Sequence, residues 1–219
     1  MNRPRLALVT ALSSALLAGL ALVPATFATA STNLVTNGTF SKPDVERGAA
    51  TYKRVTSANS DQIMTGWRVT KGSVDIFSSQ TARYRHQAAN INGGSNGTIQ
   101  QDLETDSGQR YKLEWQHSPE TWDGCENHPD QPYDVSLDGS DIEPKRFEPT
   151  GDPGTYRKRS LTFTAESDFV TLSFASKAPP SNGHCGALIA DVVVKPVANN
   201  DNNNGNSGGT GGSGGNGDD

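Results

Sequence analysis

The sequence is short of several things, and each shortage removes a class of protein. No block of clustered Lys and Arg occurs among its 219 residues, and 19 basic side chains face 24 acidic ones for a formal net charge of −5. Phosphate backbones need clustered cations, so nucleic acid is not an expected partner. Outside the N-terminus no apolar run approaches the ~20 residues that cross a bilayer. Long helix formers are sparse in the middle of the chain, which is rich in Thr, Ser, Val, Gly and Asn. Coiled coils and helix bundles are therefore not expected. Cysteine is limited to Cys125 and Cys185.

What is present begins with an export signal. Arg3 and Arg5 precede an apolar stretch from Leu6 to Val23, Pro24 breaks it, and Ala28-Thr29-Ala30 fits a small-residue cleavage site. Residues 1–30 are expected to be a secretory signal peptide, with cleavage after Ala30 and no membrane anchor afterwards. Residues 199–219 carry no apolar side chain and read as a flexible Asn/Gly/Ser-rich tail. Residues 31–198 between them form one domain, long enough to bury a core.

An oxidising destination makes one disulfide, Cys125–Cys185, the expected state of the cysteines. The alternative is a zinc set of Cys125, His128, His184 and Cys185. Neighbouring ligands at 184 and 185 fit such a site poorly, because zinc ligands are normally spaced by two or more residues.

The domain alternates apolar and polar residues with period two and shows no amphipathic helix. Strands are expected at Leu34–Phe40, Trp67–Thr70, Ser73–Phe77, Gln87–Ile91, Thr98–Glu104, Arg110–His117, Tyr133–Asp138, Tyr156–Ala165, Phe169–Ala175 and Ala187–Lys195. Tyr111, Leu113 and Trp115 share one face of their strand, while Lys112, Glu114 and Gln116 share the other. One dry and one wet face, repeated over short strands, predicts an all-β, two-sheet antiparallel sandwich of the jelly-roll kind. Residues 41–66 and 118–132 interrupt the rhythm as long loops, the first with room for a short helix or strand. Long ordered loops tend to carry function.

Six segments in order carry a family resemblance. They are Asn33-Leu-Val-Thr-Asn-Gly-Thr-Phe40, Gly66-Trp-Arg-Val-Thr-Lys-Gly-Ser-Val-Asp75, Ala89-Asn-Ile-Asn-Gly93, Gly97-Thr-Ile-Gln-Gln101, Gly108-Gln-Arg-Tyr-Lys-Leu113 and Cys185-Gly-Ala-Leu-Ile-Ala-Asp-Val-Val-Val194. Together they resemble the choice-of-anchor C family of secreted bacterial proteins and the plant cell-wall proteins grouped as domain of unknown function 642. The resemblance spans about residues 33–195. It implies a galactose-binding-like jelly roll, a fold in which many modules bind carbohydrate. It also points to two positions where related modules hold structural calcium. Here Ser41 follows the opening Asn-Gly-Thr-Phe where a Glu is usual, and Ala190 precedes Asp191 where a second acid is usual. Asp191 remains the candidate calcium ligand, although calcium normally takes six to eight oxygens and more than one carboxylate. No other cofactor is expected.

A sugar site needs flat rings for the C–H face of a pyranose and planar polar groups for its hydroxyls. Trp122, in the loop that Cys125 would pin, is the first candidate platform, the other reading being a ring that plugs the end of the sandwich. Arg83, Tyr84, Arg85 and His86 are the second candidate, against a plain solvated turn. His117 and Asn90 are further candidates, Asn90 against a strand-end role with Asn92. Trp67 and Trp115 read as core. The acidic stretch Glu120, Asp123, Glu126, Asp130, Asp134, Asp138 supplies carboxylates but specifies no hydrolytic pair. No Gly-x-Ser-x-Gly elbow or Gly-x-x-x-x-Gly-Lys loop occurs. Asn37-Gly-Thr39 and Asn96-Gly-Thr98 read as turn and strand-edge residues. The expected function is a secreted, non-catalytic module for cell-wall or extracellular polysaccharide. The alternative is a structural or adhesion domain that binds a wall-associated protein.

Overall fold

A computed structural model describes residues 32–46, 51–152 and 154–198 of the chain. The expected signal peptide and tail lie outside the described residues. Among the described residues, eleven strands form two antiparallel sheets. The six-stranded sheet runs β1 (Tyr52–Thr56), β3 (Ser73–Phe77), β4 (Ala88–Asn90), β11 (Leu188–Pro196), β6 (Arg110–Ser118), β9 (Arg157–Thr164). The five-stranded sheet runs β2 (Arg68–Lys71), β5 (Thr98–Glu104), β10 (Phe169–Ser176), β7 (Tyr133–Asp138), β8 (Lys145–Phe147). The two-sheet sandwich is as expected. Short helices α1 (Ser60–Ile63) and α2 (Ser79–Ala82) sit in the connections.

The period-two pattern delivers the core. Tyr111, Leu113 and Trp115 of β6 and Val170, Leu172 and Phe174 of β10 point between the sheets and are buried. Trp67 and Trp115 are core residues, as their positions implied, and both lie against Phe174. Trp115 Nε1 donates to the Tyr133 hydroxyl at 2.8 Å, so the one polar atom of the indole is satisfied inside the core.

Three features depart from the expected strands. Leu34–Phe40 forms a turn, not a strand. Asn37 and Phe40 take left-handed φ values of 56° and 54°, which no β ladder accommodates. The segment still rests on β11, through Leu34 N–H to Val194 O at 2.9 Å and Val192 N–H to Gly38 O at 2.9 Å. Asn37 serves the turn itself, donating to the carbonyls of Lys42 and Thr65. Edge strands β1 and β8 are additional. Lys145-Arg-Phe147 is too short to show alternation, and β1 lies in the polar 41–66 stretch, where a short element had room.

The third departure matters for the site. Every residue of β3 and β4 is buried, as are Leu188, Ile189 and Ala190 of β11. A strand buried on both faces has something on its outer side. Here a second apolar cluster of Phe77, Ala82, Ala88, Leu188 and Ala190 lies on the outer face of the six-stranded sheet, with Tyr52, Tyr84 and Tyr156 packed on it.

Candidate functional site

The outer face of the six-stranded sheet is ordered in rows by strand register. Tyr52 pairs with Phe77 and Phe77 with Ala88. The β4–β11 register places Ala88 beside Ala190, which pairs with Gln116, and Gln116 pairs with Lys158. One line thus runs from aromatic residues at the β1 edge, over two alanines, to polar residues at the β9 edge. The small alanines leave depth for rings above them. Tyr84 and Tyr156 stack there with centroids 4.1 Å apart, and the Tyr156 hydroxyl donates to Ala82 O at 3.0 Å.

Trp122 stands at the aromatic end. Its ring meets Phe77 and Tyr52 edge-on, at 6.0 and 6.2 Å, and it remains 38% exposed. The ring is supported from below and open above. It does not plug the sandwich. The loop that carries it is closed by the disulfide Cys125–Cys185, as expected. Both sulfurs are thereby committed, and no thiolate is left to form a zinc set with His184 or His128.

Asp191 organises the other end. Between the pairs Ala190–Gln116 and Val193–Glu114, β11 carries one residue more than β6. At this bulge Asp191 takes a left-handed φ of 49° and its side chain is re-aimed outward. Its carboxylate accepts from the Tyr84 hydroxyl (2.7 Å), Arg85 Nε (3.2 Å) and His86 Nδ1 (2.6 Å). Burial works to raise the carboxyl, but the bonds from His86, Tyr84 and Arg85 prevail and hold it below its ordinary value. Burial, then Asp191, pushes the Tyr84 phenol up to about 12. With Nδ1 of His86 committed as donor, Nε2 is the atom left for a ligand.

Three of the four residues 83–86 are therefore gathered on one carboxylate. Arg83 is not among them: it is the exposed C-cap of α2, with a left-handed φ of 52°. Nor do the residues at Asp191 fit a calcium ion. Both carboxylate oxygens already serve donors, one of them a guanidinium, and Ser41 Oγ turns to Asn37 Oδ1.

Beside this cluster lies an open cleft of about 630 Å³, lined by Asn33, Asn37, Ser41, Arg85, His86, Glu114, Gln116, Lys158 and Asp191 among others. A second of about 520 Å³ shares Thr39, Ser41, Arg85 and His86 with it. Glu114 is held between Lys112 and Lys158, each at 2.7 Å, and these contacts keep its carboxyl low. The cleft thus presents amide, imidazole, guanidinium and carboxylate groups, with its charges largely paired.

Two expected ligand residues are structural instead. His117 is 1% exposed and lies between the sheets. Arg159 Nε donates to its Nε2 at 2.9 Å, so Nδ1 carries the proton and donates to the Tyr133 oxygen at 2.8 Å. Burial, then Arg159 and Arg157, lowers it to about 4. Asn90 is fully buried on the sheet, donating to Glu120 Oε2 at 2.7 Å and His184 O at 2.9 Å and accepting from Asn92 N–H. Conversely, sequence reasoning passed over Tyr52, Phe77 and Tyr156 as site residues. Phe77 closes the alternation Ser73, Asp75, Phe77, which was the available signal for the outer face.

Residues 33–195 match the family model described as a protein of unknown function, DUF642. Halomucin of Haloquadratum walsbyi is 29% identical over 166 residues, which is 74% of this chain and 2% of halomucin. Among solved structures, a cyclase from Fischerella sp. TAU is similar at 13% identity and a TM-score of 0.50, covering 76% of this chain and 98% of the cyclase. A family 16 carbohydrate-binding module is similar at 15% identity and a TM-score of 0.45, covering 74% of this chain and 99% of the module.

Proposed function

This chain belongs to the DUF642 family, and we propose that it is a secreted, non-catalytic module that binds polysaccharide on the outer face of its six-stranded sheet. One observation carries the reading: a supported, upward-open Trp122 shares a sheet face with Tyr52, Tyr84 and Tyr156, and this face continues into a polar cleft. Rings supply flat surfaces for the C–H faces of sugars. Arg85, His86 and Gln116 supply planar donors and acceptors for hydroxyls. The cleft is open and wet, so affinity per site is expected to be modest.

The disulfide supports an oxidising, extracytoplasmic location, in line with the signal-like N-terminus. Binding is favoured over hydrolysis by the state of the acids. Burial pushes Glu120 up to about 8, which gives it the proton a general acid needs, but the residue is 1% exposed.

Sedimentation of the folded chain with cellulose, xylan, pectin, chitin and whole cell wall tests the proposal. Selective retention on one polymer is expected, and Trp122→Ala is expected to lose it while its circular dichroism is unchanged. Equal retention of the variant would remove Trp122 from the site. If no polymer retains the protein but a salt-sensitive pull-down recovers a secreted wall protein, the face binds protein instead.

A further inference from the structure

Glu120 is a buried carboxyl that the proposed binding surface does not use. It sits two residues before Trp122 and five before Cys125, at the neck of the loop. Its backbone N–H donates to Gln131 Oε1 at 2.7 Å and its carbonyl accepts from Gln131 Nε2 at 2.8 Å, so one side chain ties the two ends of the loop together. The Glu120 side chain reaches to the sheet. Oε2 accepts from Asn90 Nδ2 of β4 at 2.7 Å and from the Gly186 N–H ahead of β11 at 3.3 Å. Oε1 is buried and has no hydrogen-bond partner. With both donors on Oε2, the acid proton belongs on Oε1.

The surroundings favour that proton. Asp75 of β3 is a neighbouring carboxylate, and its cation, Arg54 of β1, is already bound to it in bidentate fashion at 2.8 Å. Asp123 stands in the same loop, with His184 Nε2 at 3.7 Å from its Oδ2. Tyr156, just before β9, adds a phenol and no charge. An ionised Glu120 would be a buried charge without a cation of its own, beside two other acids. Burial pushes its carboxyl up to about 8; the Gly186 N–H opposes this, and the charges of Asp75 and Asp123 add to it.

We infer that Glu120 is a proton-operated latch: its neutral carboxyl fastens the Trp122 loop to β4 and β11, and loss of the proton releases the ring from its seat. The inference rests on reading Trp122 as part of the binding face, and it supplies a regulation for that face. Alkaline conditions would loosen the platform without touching the cleft around Asp191.

The test needs no glycan, so failure of the latch is separable from failure of the binding reading. Trp67 and Trp115 are buried, and acrylamide quenching of tryptophan fluorescence therefore reports on Trp122. From about pH 6 to about pH 9.5, wild-type quenching is expected to rise in one transition, as local opening linked to one proton requires. That transition is expected near pH 8, and Glu120→Gln and Trp122→Phe are both expected to abolish it. Flat wild-type quenching, or an unchanged transition in Glu120→Gln, would overturn the latch. Carbon-13 carboxyl titration of the wild-type chain keeps the test independent of how that variant folds. A glutamate signal titrating near 8 is expected, and all glutamates titrating near the ordinary 4.5 would overturn the inference.

Discussion

At the scale of single residues, His117 shows how a polar group is kept inside this sandwich and what it costs in acid. The native ring is neutral, with Arg159 donating to one nitrogen and Tyr133 accepting from the other. Its pKa falls from 6.5 to about 4, so between those values the unfolded chain binds a proton that the native chain refuses. Stability therefore drops as pH falls through that window, by up to about 3 kcal/mol from this group. Glu120 acts with the opposite sign. Its raised pKa favours the native state at low pH, and that contribution is lost as pH rises from 4.5 toward 8. Urea unfolding of wild type and His117→Gln from about pH 4 to about pH 7 separates the two. The variant is expected to lose the acid-side decline, whereas parallel curves would show that His117 does not carry it. The position of His117 was legible. Tyr111, Leu113 and Trp115 already assign odd positions of β6 to the core, and His117 continues the series. The role of Asn90 was not legible, because its partners Glu120 and His184 are far away in sequence and nothing in a strand pattern brings them near.

Elements follow the same division. Strands with one wet face, such as β5, β6 and β7, announce themselves by alternation. A segment such as Leu34–Phe40 has apolar residues at strand-like spacing and still forms a turn, because Asn37-Gly38 bends it against the β11 bulge. Gly38 is required there: a Cβ at this position would run into the Val192 carbonyl oxygen. Gly38→Ala is expected to cost roughly 1–3 kcal/mol, as forced overpacking does. It should also disturb the adjoining bulge that presents Asp191. A thermal melt checks the first effect, and a wild-type melting temperature would show that the turn yields freely. The gathering of Tyr84, Arg85 and His86 on Asp191 belongs to this scale too. Adjacent positions 84–86 marked a polar cluster, but a bulge in a strand 105 residues later supplies its anchor.

At the scale of the whole molecule, the two-sheet architecture was readable from alternation and turn spacing, while the face proposed here for binding was not. That face follows from what covers β3, β4 and β11, and coverage comes from loops whose landing places only the assembled sandwich defines. The assembled sandwich also brings the two ends of the described domain together on β11. Leu34 N–H reaches Val194 O, and Val194 N–H reaches Asn33 Oδ1 at 2.9 Å. Entry and exit therefore share one doorway, at the end of β11 opposite the one where Leu188 pairs with Ser118 and the Trp122 loop leaves β6, and the domain has the geometry of a bead that threads into a longer polypeptide without stretching it. The consequence is tolerance to circular permutation. A chain whose old ends are joined by a short Gly/Ser linker and reopened at the exposed Asp138–Gly139 turn is expected to keep its circular dichroism, its disulfide and its retention on polysaccharide. Failure to fold would mean that the order of synthesis, and not only the final contacts, holds the N-terminal turn on the last strand.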